Sequence, residues 1–279
     1  MKKLLLITLM LVFGLTGFAQ TNTFTGNTDG FWITNTNWDL GHYPTNLEDV
    51  VIPTGKTVTI QSSTDAVAYN VDVIGSLTVL GTLTVEIQTV TNPTTLEIWM
   101  DRNLGASQVA TTKYDAAAKG DLYQWGRFTE GHQIRTSGTT STNATTPVPN
   151  TGNWDGQFIL ELNAPKDWLD PQDETLWQGV SGTNNPCPAG FRLPTEAEWE
   201  AERLTWTSNN TDGAFGSVLK LVFAGHRNND NATVYAGGSY WSSTTLTPDT
   251  KALSFTSTDA DTDGNYARAN GFSVRCIKD

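Results

Sequence analysis

Alternating apolar and polar residues, punctuated by regularly spaced glycines, mark the segment from Asn70 to Ile87. The apolar members form three pairs, which are Val71 and Val73, Leu77 and Val79, and Leu83 and Val85. Gly75 and Gly81 separate these pairs. Because successive side chains of a strand point to opposite faces, the period of two predicts short strands with one apolar face. The equal spacing is typical either of tight hairpins or of stacked solenoid rungs.

The composition extends the expectation of strands and turns to the whole chain of 279 residues. The chain contains 44 Thr, 21 Asn and 25 Gly, and only 16% of its residues are charged. Thr is β-branched and favours strands, whereas Asn and Gly tolerate turn geometry, so we expect little helix. The formal net charge of -12 argues against nucleic acid as a partner, because a nucleic-acid binder needs clustered Lys and Arg.

The first 19 residues have the pattern of a signal peptide. Lys2 and Lys3 precede the ten-residue apolar run from Leu4 to Phe13, and Ala19 closes a small-residue cleavage motif. A run of this length is too short to cross a bilayer and is typical of a signal-peptide core. We therefore expect export, a mature chain that begins at Gln20, and no transmembrane segment. The predicted location is extracellular, at the cell surface or in the periplasm of a Gram-negative bacterium.

Export affects the interpretation of the only two cysteines, Cys187 and Cys276. In an oxidising compartment such a pair favours a disulfide over a metal or redox site. The alternative is two buried free thiols.

Residues 20–92 are predicted to form a small all-β module. Asp49–Pro53 and Lys56–Ile60 have the composition of strands, and the Pro- and Asn-containing segment Thr91–Thr95 is expected to be a linker. The opening, from Trp32 to Val50, resembles the start of β-solenoid modules on secreted bacterial surface proteins. A second domain is predicted over residues 96–279.

Two helices are expected in this second domain. Thr195 and Glu198 have the spacing of a capping box before a helix that continues to Trp206. Trp199 and Trp206 would share one face of that helix. Its glutamates, Glu196, Glu198, Glu200 and Glu202, are interpreted as one cap residue and a solvated face, not as a catalytic cluster. A second helix is expected from Asp212 to Val222. The predicted class is therefore α+β.

Five ordered motifs span the second domain: Trp99–Gly105, Gly120–Arg127, Asn184–Trp199, Tyr240–Thr244 and Gly271–Ile277. Together they resemble the Fibrobacter succinogenes major paralogous domain, a family of exported bacterial proteins. That family is related to the formylglycine-generating sulfatase-modifying enzymes, which share the motif Arg192–Trp199. The resemblance implies a C-type-lectin-like domain that follows the solenoid-like module in the chain.

The resemblance also bears on the cysteines. Cys187 and Cys276 match the two cysteines of a structural bridge in the sulfatase-modifying enzymes, which implies a disulfide between them. Those enzymes are copper-dependent oxidases with a reactive cysteine pair near the chain end. The chain from Tyr240 onward contains Cys276 alone. The oxidase chemistry is therefore expected to be absent.

We predict no catalytic constellation and no resident cofactor. His42, His132 and His226 occur in unrelated contexts. Weak calcium binding is considered at Asp259, Asp261 and Asp263, because acids at these positions followed by a glycine resemble the first half of a calcium loop. Position 12 of such a loop is Asn270 and not the bidentate Glu, so a solvated acidic turn is the preferred interpretation.

Recognition is predicted on the loops between the motifs. Tyr, Arg and Asn side chains there combine aromatic area with adaptable hydrogen bonding. The candidate binding residues are Arg227, Asn228, Asn229, Asn231, Tyr235, Asn265 and Tyr266. The motif tryptophans, Trp99, Trp125, Trp199 and Trp241, are assigned to the core. We expect an exported, non-enzymatic ligand-binding or adhesion protein that recognises a glycan or a protein. The alternatives are a structural envelope component and an enzyme of altered chemistry.

Overall fold

A computed structural model describes residues 20–26, 30–45, 48–61, 65–68, 70–73, 76–79, 82–85, 87–148 and 154–279. The expected signal peptide, Gly75 and Gly81 lie outside the described residues. The chain divides into two compact units between residues 86 and 87. Strands predominate and helices are few, so the α+β class is observed. Within the described ranges, no helix has the length and apolar character that a membrane span requires.

The described part of the first unit consists of short strands and one 3-10 turn, Asn35–Asn37. The strands are β1 (Gln20–Thr23), β2 (Glu48–Ile52), β3 (Thr57–Ile60), β4 (Asp65–Ala68), β5 (Asn70–Val73), β6 (Ser76–Val79) and β7 (Thr82–Val85).

The strands of the first unit pair in parallel. β2 lies between β1 and β5, β3 pairs with β6, and β4 pairs with β7. Val58 is opposite Leu77, for example, and Ala66 is opposite Leu83. A two-residue hairpin can join only antiparallel strands. Of the two arrangements that the spacing allows, the pairing therefore corresponds to stacked rungs, β2–β3–β4 followed by β5–β6–β7.

The inward side chains of one rung meet in a single core. Alternate residues of β2, β3 and β4 are buried, and they form one cluster with three aromatic residues, Phe24, Trp32 and Trp38. The Trp38 indole donates a hydrogen bond to the Trp32 carbonyl at 2.8 Å, so its polar group is satisfied inside this core. The period-two pattern thus places apolar side chains where three strands surround a common interior.

The described part of the second unit holds the remaining strands, a 3-10 turn at Ala116–Ala118 and two helices. The strands are β8 (Thr89–Thr91), β9 (Ile98–Met100), β10 (Tyr123–Gln124), β11 (Thr139–Thr140), β12 (Phe158–Ile159), β13 (Phe191–Arg192), β14 (His226–Arg227), β15 (Val234–Tyr235), β16 (Gly238–Leu246), β17 (Asp249–Phe255), β18 (Ala260–Asp261), β19 (Asn265–Tyr266), β20 (Gly271–Phe272) and β21 (Ile277–Lys278). The helices are α1 (Glu196–Arg203) and α2 (Thr211–Gly216).

These strands form small sheets in which distant segments meet. The sheet orders are β13–β21–β9–β8, β10–β20–β14–β15 and β16–β17–β18, with β19 also paired to β17 and β11 paired to β12. The segment expected to be a linker belongs to this unit, because β8 pairs with β9. Asn92, just after β8, is buried and donates to the Glu202 carboxylate. The boundary therefore precedes the expected one.

The predicted capping box is present at the start of α1. The Thr195 hydroxyl accepts a hydrogen bond from the Glu198 amide at 3.2 Å, and the Glu198 carboxylate accepts from the Thr195 amide at 2.7 Å. Arg192 holds the same carboxylate with two further hydrogen bonds. The interaction with Arg192 lowers the pKa of Glu198, although burial opposes this shift.

Three helical expectations are corrected. The first helix ends at Arg203 and does not continue to Trp206. Glu202 does not belong to a solvated face, because its side chain is buried and accepts hydrogen bonds from Asn92 and from the Trp206 indole. The second helix ends at Gly216 and does not reach Val222. Leu219, Leu221 and Val222 instead pack in the core without helical hydrogen bonds, and Lys220 has a positive φ of 48°.

The core of the second unit contains the motif tryptophans. Trp99, Trp125, Trp199 and Trp241 are each 0% exposed, which confirms their assignment to the core. Cys187 and Cys276 are joined by a disulfide across a sequence separation of 89 residues. Cys276 is itself part of the buried core.

Candidate functional site

An open groove of about 420 Å³ lies on the second unit. We call it the aromatic groove, and its main lining residues are Tyr114, Lys119, Phe223, Gly225, Val234 and Tyr235. The residues come from three separate parts of the sequence: the 3-10 turn region, the segment after α2, and strand β15.

The first wall is a pair of aromatic rings. Tyr114 and Phe223 meet edge to face, with ring centroids 5.9 Å apart at 90°. The Phe223 amide donates to the Lys113 carbonyl at 2.8 Å, which ties the two segments together beside the rings. Tyr114 is 57% exposed, so its ring is available to a ligand while its edge contact limits its movement.

The opposite wall is strand β15. It pairs antiparallel with β14, and this pairing places Tyr235 opposite His226. The two rings stack with centroids 5.6 Å apart at 25°, and His226 packs in turn against Phe272. Burial lowers the pKa of His226, so the imidazole beneath Tyr235 is neutral at pH 7. Tyr235 is nonetheless 43% exposed on the groove side of this stack.

Gly225 allows the segment after α2 to approach strand β15 closely. Gly225 has a φ of +83°, and a Cβ at this position would lie 2.7 Å from the Tyr235 carbonyl oxygen. The Gly225 amide donates to the Gly237 carbonyl at 2.6 Å. Any larger residue would push the segment away from β15, so the shape of the groove depends on glycine here.

Lys119 supplies the positive charge of the groove. It follows the 3-10 turn, whose Asp115 side chain accepts a hydrogen bond from the Ala117 amide at 3.1 Å. The Lys119 carbonyl accepts hydrogen bonds from Asn103 at 3.1 Å and from Arg135 at 3.4 Å. The carbonyl of Lys119 is thus held by two donors. Its ammonium has no hydrogen bond or ion pair to another described residue.

The lining is aromatic with few titratable groups. Among the described lining residues, those groups are Tyr114, Lys119 and Tyr235. Three aromatic rings and one ammonium suit a ligand that offers apolar C–H faces together with hydrogen-bonding groups.

Two of the predicted binding residues do not present their side chains to solvent. Arg227 is 3% exposed, lies over the Phe158 ring and donates to the Ser137 hydroxyl and carbonyl. Asn229 is 8% exposed and donates to the Glu161 carbonyl at 2.5 Å. Both were expected on accessible loops; they instead join distant loops within the unit.

Asn228 and Asn231 lie in the turn between β14 and β15. The Asn228 side chain accepts from the Asp230 amide at 2.9 Å, and the Asn231 side chain accepts from the Thr233 amide at 2.8 Å. These bonds shape the turn that presents Tyr235. Of the predicted binding residues, Tyr235 is the one that lines the aromatic groove.

Asn265 and Tyr266 form β19, outside the groove lining. Asn265 is exposed, whereas Tyr266 is half-buried and packs edge to face against Phe272 at 5.1 Å. Burial raises the pKa of Tyr266. Its ring therefore contributes mainly to packing.

The three acids considered for calcium interact electrostatically but do not form a compact ligand set. Asp259 accepts a hydrogen bond from Asn209 at 2.9 Å. Burial raises the pKa of Asp261, and the charges of Asp263 and Asp259 raise it further. In the described part of the chain, no group of three His, Cys, Asp or Glu residues is arranged to hold a metal ion. Calcium binding stays a prediction.

A buried ionic cluster lies elsewhere in the unit. The Glu130 carboxylate accepts from Arg127 at 2.5 Å and lies 2.6 Å from His132 Nδ1. His132 Nε2 accepts from the Gln124 amide at 3.1 Å, so the proton of the neutral imidazole is on Nδ1. Burial lowers the pKa of His132 to about 3. With His132 fully buried, the cluster supports the fold and does not face a ligand.

Fold and groove together define a sheet-rich α+β protein with an aromatic groove on a disulfide-linked unit. No family model, curated protein or solved structure matches this chain. The resemblance described above therefore stays a prediction.

Sequence reasoning missed three groove residues. Tyr114 and Lys119 lie in a segment without periodicity, and Phe223 directly follows the expected second helix. The sequence gives no signal that Phe223 lies near Tyr114 and Lys119, because the two segments are far apart in the chain and loop contacts bring them together.

Proposed function

We propose that this is an exported, non-enzymatic carbohydrate-binding protein whose ligand occupies the aromatic groove. The observation that supports this proposal is the placement of Tyr114, Phe223 and Tyr235 around one open groove. Aromatic rings bury the apolar faces of sugar rings, and tyrosine hydroxyls add hydrogen bonds. The proposal retains a C-type-lectin-like scaffold of the major paralogous domain type as the finer description of the second unit.

The size of the groove favours a glycan over a protein ligand. A volume of about 420 Å³ falls within the range of small-molecule sites. A stable protein partner would instead cover roughly 800 Å² of each surface. We therefore expect recognition of a short saccharide segment.

The test is a glycan array probed with the mature chain, followed by titration calorimetry on the glycans that bind. We expect Tyr235→Ala and Tyr114→Ala each to weaken binding by roughly tenfold or more, as is found at aromatic hot spots. Tyr43→Ala serves as the matched control, because Tyr43 is also exposed, at 47%, but belongs to the first unit.

A glycan whose affinity is insensitive to both groove substitutions would contradict the proposed site. The absence of any glycan signal, with the variants correctly folded, would contradict carbohydrate binding altogether.

A structural role in the cell envelope is the second candidate. Among the described strands, β5, β6 and β7 each pair along one edge only. Unpaired strand edges can associate with a further chain. Analytical ultracentrifugation over a range of concentrations tests this role, and a monomer at all concentrations would argue against it.

A further inference from the structure

We propose that the ligand is an anionic saccharide and that Lys119 is the residue that selects it. This inference rests on the proposed function and specifies its ligand class. The shared chemistry is a sugar ring that bears a negative group, either a carboxylate or a sulfate ester.

The first argument is that Lys119 is not engaged within the protein. The two acids nearest in sequence have other partners. Asp115 accepts hydrogen bonds from Thr111, Gln108 and Ala117. Asp121 interacts with the Arg135 charge, and burial raises the pKa of its carboxyl to about 6. No acid is among the described residues that line the groove, so a bound anion would contact no carboxylate among them.

The second argument is the positioning of Lys119. Its carbonyl is held by Asn103 and Arg135, and the residue caps a turn that Asp115 closes. A side chain on a fixed backbone loses less conformational freedom on binding than one on a mobile loop. Lys119 lies in the same groove as the exposed rings of Tyr114 and Tyr235, so one sugar residue can contact a ring while its charged group meets the ammonium.

The third argument is the contrast with the rest of the chain. The formal net charge is -12, so long-range electrostatics do not attract anions to this protein. An unpaired ammonium within an aromatic groove is a local exception. It gives specificity for charge at one position, as local charge complementarity does in other recognition sites.

The experiment compares three probes by calorimetry with the mature chain. They are a tetrameric oligogalacturonate, its fully methyl-esterified form, and a tetrasaccharide of uncharged sugars that carries sulfate esters. The ester removes the charge and keeps the sugar ring. We expect the wild type to bind at least one anionic probe roughly tenfold more tightly than the neutral ester, in line with a charge-assisted contact. The preferred anion distinguishes carboxylate from sulfate.

Variants locate the effect. Lys119→Met should abolish the preference for the anionic probe, whereas Lys119→Arg should retain the preference. Lys278→Met is the control for net charge, because Lys278 is exposed on β21 and lies outside the groove lining.

Two outcomes are distinguishable from each other. Equal binding of charged and neutral probes, or a preference that survives Lys119→Met, would overturn this inference and leave the proposed function intact. If no glycan on the array and none of the three probes binds the folded wild type, the proposed function itself fails.

Discussion

Tyr235 and Tyr266 show how the environment of a residue decides its role. Both were predicted to contact a ligand. Tyr235 lies on an edge strand and is 43% exposed, whereas Tyr266 is half-buried against Phe272. Likewise, Arg227 is a residue type that is common in recognition loops, but its guanidinium donates a hydrogen bond to the Ser137 hydroxyl inside the unit. The residue types are those of a binding loop, but burial separates the contact residues from the structural ones.

The two tyrosines should therefore respond differently to truncation. Tyr235→Ala should weaken glycan binding and leave the melting temperature nearly unchanged, because Tyr235 lies on an edge strand and is 43% exposed. Tyr266→Ala should lower the melting temperature, because it removes packing from Phe272. Thermal denaturation and calorimetry on the same samples check this, and equal melting temperatures for both variants would contradict it.

Trp241 should contribute to stability alone. Its ring stacks on Phe272 at 4.1 Å and its indole donates to the Tyr123 carbonyl at 2.6 Å. We expect Trp241→Ala to lower the free energy of unfolding by ~3 to 5 kcal/mol, the usual effect of a large core cavity. Urea denaturation measures this quantity, and a loss below ~1 kcal/mol would contradict the placement of Trp241 in the core.

His132 should make stability depend on pH. Its pKa falls from 6.5 in the unfolded chain to about 3 in the fold because it is buried. The neutral form therefore stabilises the fold fully above pH 6.5, and this contribution is lost as the pH falls toward 3. Between pH 6.5 and 5 the loss should be about 1 to 2 kcal/mol.

The measurement is the free energy of unfolding of wild type and His132→Gln at several pH values. The difference between the two proteins should shrink as the pH is lowered, since the variant lacks the titrating group. Asp121, with its raised pKa, shifts both proteins equally and cancels in the comparison. A difference that is constant from pH 7 to pH 5 would refute the role of His132.

For helices and strands, sequence patterns predict the bounds of an element correctly where residues close in the chain make the contacts that stabilise it. The capping box that starts α1 involves residues three apart, and the sequence predicts it at the observed position. The end of the second helix depends instead on core packing of the residues after Gly216, so the sequence predicts it too long.

The N-terminal cap of α1 is testable. Thr195→Ala should lower the free energy of unfolding by about 1 kcal/mol, because the Glu198 amide loses its acceptor. Thr195→Ser keeps the hydroxyl and is the matched control. If chemical denaturation gives the same stability for Ala and Ser at this position, the cap does not contribute.

At the scale of the whole molecule, the disulfide joins distant segments of the second unit. Cys187 precedes β13, and Cys276 lies immediately before β21, which pairs with β13. Removing a native disulfide typically costs 2–5 kcal/mol. We expect Cys276→Ser to lower the free energy of unfolding by ~2 to 5 kcal/mol.

Reduction provides the control for this prediction. A reductant should destabilise the wild type by a similar amount and leave Cys276→Ser unaffected. Non-reducing peptide mapping that finds two free thiols in the protein would contradict the disulfide.

Local periodicity, capping and hydrophobicity were enough to predict the α+β class, the strand alternation, the start of α1 and the core tryptophans. Three other features depend on contacts between distant parts of the chain. The strands of the first unit pair in parallel as stacked rungs, although the alternation alone is equally compatible with hairpins. Burial withdrew Arg227 and Asn229 from solvent. The aromatic groove gathers Tyr114, Lys119, Phe223 and Tyr235 from segments far apart in the chain, and no local pattern encodes a proximity that only long-range packing creates.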